Sequence, residues 1–210
     1  MNLREKYGEW GIVLGATEGV GKAFCEKLAQ GGMNVVMVGR REEKLKELGE
    51  SIKQTYGVDY KVVKADFSTP NATDAIFAAT EGLDMGFMSY VACLHSFGKI
   101  QDTPWEKHEA MINVNVVTFM KCFYHYMKIF AAQDRGAVIN VSSMTGISSS
   151  PWNGQYGAGK AFILKMTEAV ACEVEKTNVD VEVITLGTTL TPSLLSNLPG
   201  GPQGAAVMKI

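Results

Sequence analysis

No apolar run in this 210-residue chain approaches the ~18–20 residues needed to cross a bilayer, so no membrane partner is expected. The opening residues, Met1-Asn2-Leu3-Arg4-Glu5-Lys6-Tyr7, lack the apolar core of a secretory signal. Cysteine is sparse: Cys25, Cys93, Cys122 and Cys172 are scattered through apolar runs with no Cys-x2-Cys pair. That spacing fits buried thiols in a reducing cytoplasm better than disulfides or zinc ligands, and a cytoplasmic location is expected. Histidine is scarcer still. His95, His108 and His125 have no metal-ligand spacing, so no metal site is expected and they read as structural or substrate-adjacent. An excess of one charge is missing as well: a formal net charge of −2 argues against a nucleic-acid surface.

What the chain has is apolar mass, 46% hydrophobic residues, enough to bury a sizeable core in one domain over residues 1–210. Gly11-Ile12-Val13-Leu14 is a short apolar run; Gly15-Ala16-Thr17-Glu18-Gly19-Val20-Gly21 follows, then helical periodicity from Lys22 to Ala29. Strand, glycine turn, helix is the order a pyrophosphate needs. Glycines let backbone come close, and the helix start offers N–H groups and the positive end of its dipole. Asn34 to Val38 is continuously apolar, as a strand covered on both faces is. At its end stands Gly39-Arg40-Arg41, where an acidic residue would accept from the 2′-hydroxyl of NAD. Two guanidiniums suit a 2′-phosphate, so NADP(H) is the expected cofactor. The alternative, stronger for Arg41 than for Arg40, is a solvated helix start, because a mixed-charge helix runs on to about Gln54.

Tyr60 to Ala65 reads as a third strand, with Asp66 at its end as an acceptor for an adenine amino group and Phe67 beside it. A helix from about Asn71 to Glu81 follows, then a strand from Phe87 to Ala92 and a loop to Thr103. The long helical stretch from Trp105 to Ala132 is expected to break or kink near Asn113-Val114-Asn115, since asparagines on an apolar face need partners. Gly136 to Val141 is a fifth strand, and Val179 to Leu186 a sixth that runs into Gly187. Alternating strands and helices predict an α/β fold, a doubly wound parallel sheet of Rossmann type with helices on both faces. Ligands then bind beyond the carboxyl ends of the strands, which is where Gly15, Arg40, Asp66, Ala92, Ser143 and Gly187 all fall. The helix from Gln155 to about Lys176 is apolar on more than one face, so a homodimer or homotetramer is expected.

Tyr156 and Lys160 open that helix four residues apart, which stacks their side chains one turn apart with roughly 5–6 Å between Cβ atoms. A protonated lysine there favours phenolate and lowers the tyrosine pKa toward the working pH. Such a tyrosine exchanges a proton with a substrate oxygen. Ser143, at the end of the apolar run Val138-Ile139-Asn140-Val141, is placed to hydrogen-bond the same oxygen. On the residues alone the chemistry reaches an oxidoreductase acting on a carbonyl or alcohol. A reductase of another ketone or a 3-ketoacyl thioester, and an NADP-binding sensor without chemistry, stay open.

Taken together, Gly15-x3-Gly19-x-Gly21, Asn115, Ser143 and Tyr156-x3-Lys160 resemble the short-chain dehydrogenase/reductase family over essentially the whole chain. The resemblance implies Tyr156 as acid/base, Ser143 as the group that positions the substrate oxygen, and Lys160 as holder of the nicotinamide ribose. It implies Asn115 as the anchor of a water linking Lys160 to solvent. The segment Gly187 to Thr191 resembles the family's turn against the nicotinamide carboxamide, which makes Gly187, Thr189 and Thr191 cofactor contacts. The stretches 2–21, 95–109 and 142–202 are similar to bacterial members that interconvert 7-keto and 7β-hydroxy groups of bile acids. This implies a bile acid or steroid substrate under a loop at about 188–208, against Trp152 and Leu194, with His95, Ser143 and Ser193 as polar contacts. The chain departs from the family's pattern at Leu14, at Leu186 and at Val91-Ala92-Cys93-Leu94, where the family carries Asn-Asn-Ala-Gly. The family also goes on to a seventh strand and a last helix beyond Ile210, so a longer parent chain is expected.

Overall fold

The computed structural model describes residues 2–148 and 151–187. In chain order the elements are α1 (Leu3–Tyr7), β1 (Trp10–Leu14), α2 (Gly19–Gln30), β2 (Asn34–Gly39), α3 (Glu42–Tyr56), β3 (Tyr60–Lys64), α4 (Ala72–Thr80) and β4 (Met85–Tyr90). They continue with α5 (Trp105–Ile112), α6 (Phe119–Gln133), β5 (Gly136–Ser143), α7 (Gly154–Glu173) and β6 (Val179–Leu186). All strand pairs are parallel, in the order β3-β2-β1-β4-β5-β6. The chain starts at the centre, winds out to β3, returns to β4 and winds out the other way. A switch point between β1 and β4 results, with a crevice at its carboxyl edge.

Successive strand residues point to opposite faces. Val13, Val35 and Met37 pack with Leu28, Leu45 and Ile52, so α2 and α3 cover one face. Ile12, Val36 and Val38 pack with Ile76, Phe119, Phe123 and Ile163, so α4, α6 and α7 cover the other. All six residues of β2 are buried: Val35 to Val38 form an apolar run covered on both faces, and the polar Asn34 before it accepts from Asp59 N at 2.9 Å. Each fully buried Val or Ile stabilises by roughly 1.5–3 kcal/mol. Exposed ion pairs such as Lys53 with Asp59 are worth about 0–1 kcal/mol each, so burial and not surface charge holds the scaffold.

Three differences from the sequence expectation have local causes. Helix α1 was not expected from periodicity; Asn2 caps it by accepting from Glu5 N at 3.3 Å, and Lys6 ties it to Asp180 of β6 at 2.7 Å. Strand β4 ends at Tyr90, because Val91 and Ala92 already turn their N–H groups onto the Leu14 carbonyl, so Ala92 lies just past the strand. The stretch from Trp105 is interrupted by a π-helical segment, Asn113–Thr118, at the asparagines that foretold a break. Asn113 donates to the Ser68 carbonyl at 3.0 Å, and Asn115 is buried and bonded to Leu94. Side-chain bonds to neighbouring loops thus accompany the wider backbone turn here.

Candidate active site

At the carboxyl end of β1 the backbone makes the site. Gly15 has a φ of +101°, and a Cβ there would lie 2.6 Å from Ala92 N. A Cβ on Gly21, in the first turn of α2, would lie 2.0 Å from the Gly15 carbonyl oxygen. Only glycine lets β1, the start of α2 and the residue beyond β4 pack this closely, and the result is a side-chain-free cradle at a helix start. The N–H groups of Gly19, Val20 and Gly21 have no carbonyl one turn earlier and can take an anion. A pyrophosphate fits this cradle.

Beside it, at the end of β2, the Arg41 guanidinium donates to Thr17 Oγ1 at 2.9 Å and pairs with Glu18 at 2.9 Å. Arg41, the N-cap residue of α3 and the better fit to a solvated helix start on sequence, is thus tied to the glycine turn. Arg40 is exposed and lies close enough to Asp66 to act on its charge. Burial works to raise the Asp66 pKa, but bonds from Ser68 and the nearness of Arg40 hold it below the ordinary carboxylate range. One Asp66 oxygen already accepts from Ser68 N and Oγ, at 3.0 and 2.8 Å. The Phe67 side chain is buried against Tyr90, with ring centroids 5.9 Å apart, which leaves only its backbone for a nucleotide.

At the carboxyl end of β5, side chains make the site. Ser143 is the last residue of β5, and Tyr156 and Lys160 lie in the first two turns of α7. The Lys160 ammonium sits 5.9 Å from the Tyr156 ring centre and donates to the Val141 carbonyl at 2.7 Å. Lys160 is only 1% exposed, and burial lowers its pKa. The expected lowering of the tyrosine pKa is not what the structure shows. Burial, then the nearby Cys93 thiol, push the Tyr156 phenol up to about 12, while a hydrogen-bond interaction with Ser143 works the other way. The physical reason is burial, which disfavours the charged phenolate, while the Lys160 ammonium donates to the Val141 carbonyl.

Asn115 is held by its side chain. Its Oδ1 accepts from Leu94 N at 3.0 Å and its Nδ2 donates to Leu94 O at 2.6 Å, so the side chain clamps the peptide just after β4. His95, next along, meets the Tyr156 ring edge-on at 5.7 Å. Its Nδ1 is buried without a partner, and burial lowers its pKa, so the ring is a neutral wall of the cleft. His125 is structural, stacked on Phe77 at 3.9 Å, whereas His108, whose carbonyl accepts from Gln155 at 2.7 Å, lines the cavity described next. Trp152 is 66% exposed and, with Ile100, Trp105 and Met111, lines a cavity of about 1000 Å³. Gly187 is described, whereas Thr189, Thr191, Ser193, Leu194 and the expected loop at 188–208 lie outside the described residues.

The cysteine expectation holds for two of four. Cys25 and Cys122 are buried, but Cys93, just past β4, and Cys172, near the end of α7, are exposed. Sequence reading missed Cys93 as a neighbour of Tyr156 and missed Thr145, which donates to Ser143. Only the position of Cys93 directly after a strand end could have pointed to it.

The chain belongs to the short-chain dehydrogenase family: the family model, described as short chain dehydrogenase, matches residues 9–198. Among relatives, a 7beta-hydroxysteroid dehydrogenase of Mediterraneibacter gnavus is 92% identical over 209 residues, covering 100% of this chain and 80% of that protein. A protein of the same name from Collinsella aerofaciens is 87% identical over 210 residues, again across 100% of this chain and 80% of the relative. A solved structure concerned with 7beta-hydroxysteroid dehydrogenase stereoselectivity superposes with a TM-score of 0.92 at 87% identity, covering 100% of this chain and 81% of its own. The chain is thus similar to these proteins along its whole length, and it is an oxidoreductase of their family.

Proposed function

We propose that this oxidoreductase interconverts a 7-keto and a 7β-hydroxy group on a bile acid, using NADP(H). The observation that carries the reaction type is the meeting of Tyr156, Ser143 and Lys160 at the end of β5, on the same sheet edge as the glycine cradle. The relatives named 7beta-hydroxysteroid dehydrogenase, at 92% and 87% identity, support the substrate. The Arg41 guanidinium, held over the turn by Thr17 and Glu18, supports NADP(H) over NAD, with Arg40 beside it and Gly39 leaving room for a phosphate. When bound, the dinucleotide supplies or takes the hydride.

The chain's own residues do the rest. Gly15, Thr17, Glu18, Gly19, Val20 and Gly21 cradle the pyrophosphate, while Asp66, the Phe67 backbone and Ala92 border the adenosine side. In reduction Tyr156 donates its proton to the substrate oxygen and Ser143 donates a hydrogen bond to the same oxygen. The buried Lys160 offers its remaining protons toward the ribose and steadies charge left on the phenol. His95 and Trp152 bound the substrate and Gly187 borders the carboxamide; the parts assigned to Thr189, Thr191, Ser193 and Leu194 fall outside the described residues. We place the enzyme in the cytoplasm as a homo-oligomer. Among the described residues no helix is long and apolar enough to cross a membrane, and Val117 and Tyr124 are exposed apolar side chains on the π-helical segment and α6.

The test is NADPH absorbance during incubation with a 7-keto bile acid, with a 3-ketoacyl thioester, and with neither. Decay with the bile acid alone is expected. Decay with the thioester alone assigns another ketone reduction, and decay with neither leaves a nucleotide-binding protein without this chemistry.

A further inference from the structure

We propose that Thr145 is a positioning residue that commits the Ser143 hydroxyl to donating, and so reserves the Tyr156 proton for the substrate oxygen. The inference rests on the reaction proposed above and concerns how its proton is directed. A serine hydroxyl has one proton to give and two lone pairs to accept with. Both lone pairs of Ser143 are engaged by one residue: Thr145 N–H donates to Ser143 Oγ at 3.3 Å, and the Thr145 hydroxyl donates to it at 3.0 Å. What Ser143 has left is its proton.

The backbone half of this arrangement is an ordinary cap on the short 3-10 turn Met144–Gly146, for which Ser143 is the N-cap. The hydroxyl half is not required for that cap. It adds a second donor to an oxygen that the turn has already satisfied once, at the place where the reacting oxygen is expected. Thr145 is also held against α7. A Cβ on Gly157 would meet the Thr145 carbonyl at 2.7 Å, so this glycine seats the turn on the helix beside Tyr156. With its lone pairs filled, Ser143 cannot accept the proton of Tyr156, and that proton is directed to the ligand. A donor-only Ser143 also opposes the rise in the Tyr156 pKa, in the direction the structure shows.

The experiment compares T145V, which keeps shape and backbone N–H but loses the hydroxyl, with T145S, which keeps the hydroxyl. Turnover of a 7-keto bile acid with NADPH, the pH profile of the reverse oxidation, melting temperature and NADPH affinity are measured for both and for wild type. We expect T145V to lose about five- to tenfold in kcat/KM, the worth of one hydrogen bond. Its oxidation midpoint moves to higher pH, because oxidation needs the phenolate and a less committed Ser143 stabilises it less. T145S restores most of both, while melting temperature and NADPH affinity stay near wild type. An unchanged midpoint in T145V, or equal losses in T145V and T145S, overturns the inference and assigns Thr145 to packing. A wild type that reduces no ketone overturns the functional reading itself and takes this inference with it.

Discussion

At the end of β1 the chain builds a ligand site from backbone, and at the end of β5 it builds one from side chains. The first needs absence: no Cβ at Gly15 or Gly21, and helix N–H groups left open. The second needs presence: a phenol, a buried ammonium and a hydroxyl, each held by a named partner. A backbone cradle binds any ligand with the right anionic shape, whereas a side-chain cluster acts on one atom of it. The fold separates holding from reacting, and substitutions on the two sides should fail in different ways.

The sharpest break is Tyr156→Phe. Loss of the proton donor should cut turnover on the order of a thousandfold or more, while NADPH affinity, read by fluorescence titration, stays nearly unchanged. Next comes Gly21→Ala, the same experiment on the opposite side. A methyl 2.0 Å from the Gly15 oxygen forces the turn apart. Stability should fall by about 1–3 kcal/mol in denaturant titrations, and NADPH affinity by roughly tenfold or more. Parallel loss of affinity in both variants would erase the distinction between the halves.

Gly39→Asp should act within the holding half alone. Its Cβ meets Thr17 Cγ2 at 3.3 Å, so the side chain fits with a small shift, and the new carboxylate repels a 2′-phosphate. The ratio of kcat/KM for NADPH over NADH should drop by roughly tenfold, with kcat at saturating cofactor little changed. An unmoved ratio would detach Arg40 and Arg41 from cofactor choice. The mildest effect is pH dependence. With the free phenol near 12, Tyr156 is protonated throughout the neutral range. The reductive rate, which uses the phenol, should show no loss from tyrosine ionisation there, and the oxidative rate, which uses the phenolate, should climb with pH. A reductive rate that falls through neutral pH with a tyrosine-dependent midpoint would contradict the raised pKa.

The same contrast accounts for what could be read in the sequence. Glycines at 15, 19 and 21 are legible because the backbone requirement admits little else, and β2 is legible because Val35 to Val38, covered on both faces, form an unbroken apolar run. Tyr156 and Lys160 are legible by spacing, which a helix converts directly into proximity. Spacing does not tell where the ammonium points, and Val141 O takes it. Asn113 and Asn115 announced an interruption but not its π-helical form, which depends on Ser68 and Leu94, residues distant in sequence. Thr145 and Cys93 were silent because each matters only through a neighbour that the fold brings to it.

The central geometry is tested most directly by a crystal structure of the ternary complex with NADP+ and a 7-keto bile acid. The substrate's keto oxygen should lie about 2.6–3.2 Å from both Tyr156 Oη and Ser143 Oγ, with the nicotinamide on the carboxyl edge of β4 and β5. A keto oxygen bound away from Tyr156, in a crystal that turns over when dissolved, would contradict the assignment of this tyrosine as the proton donor.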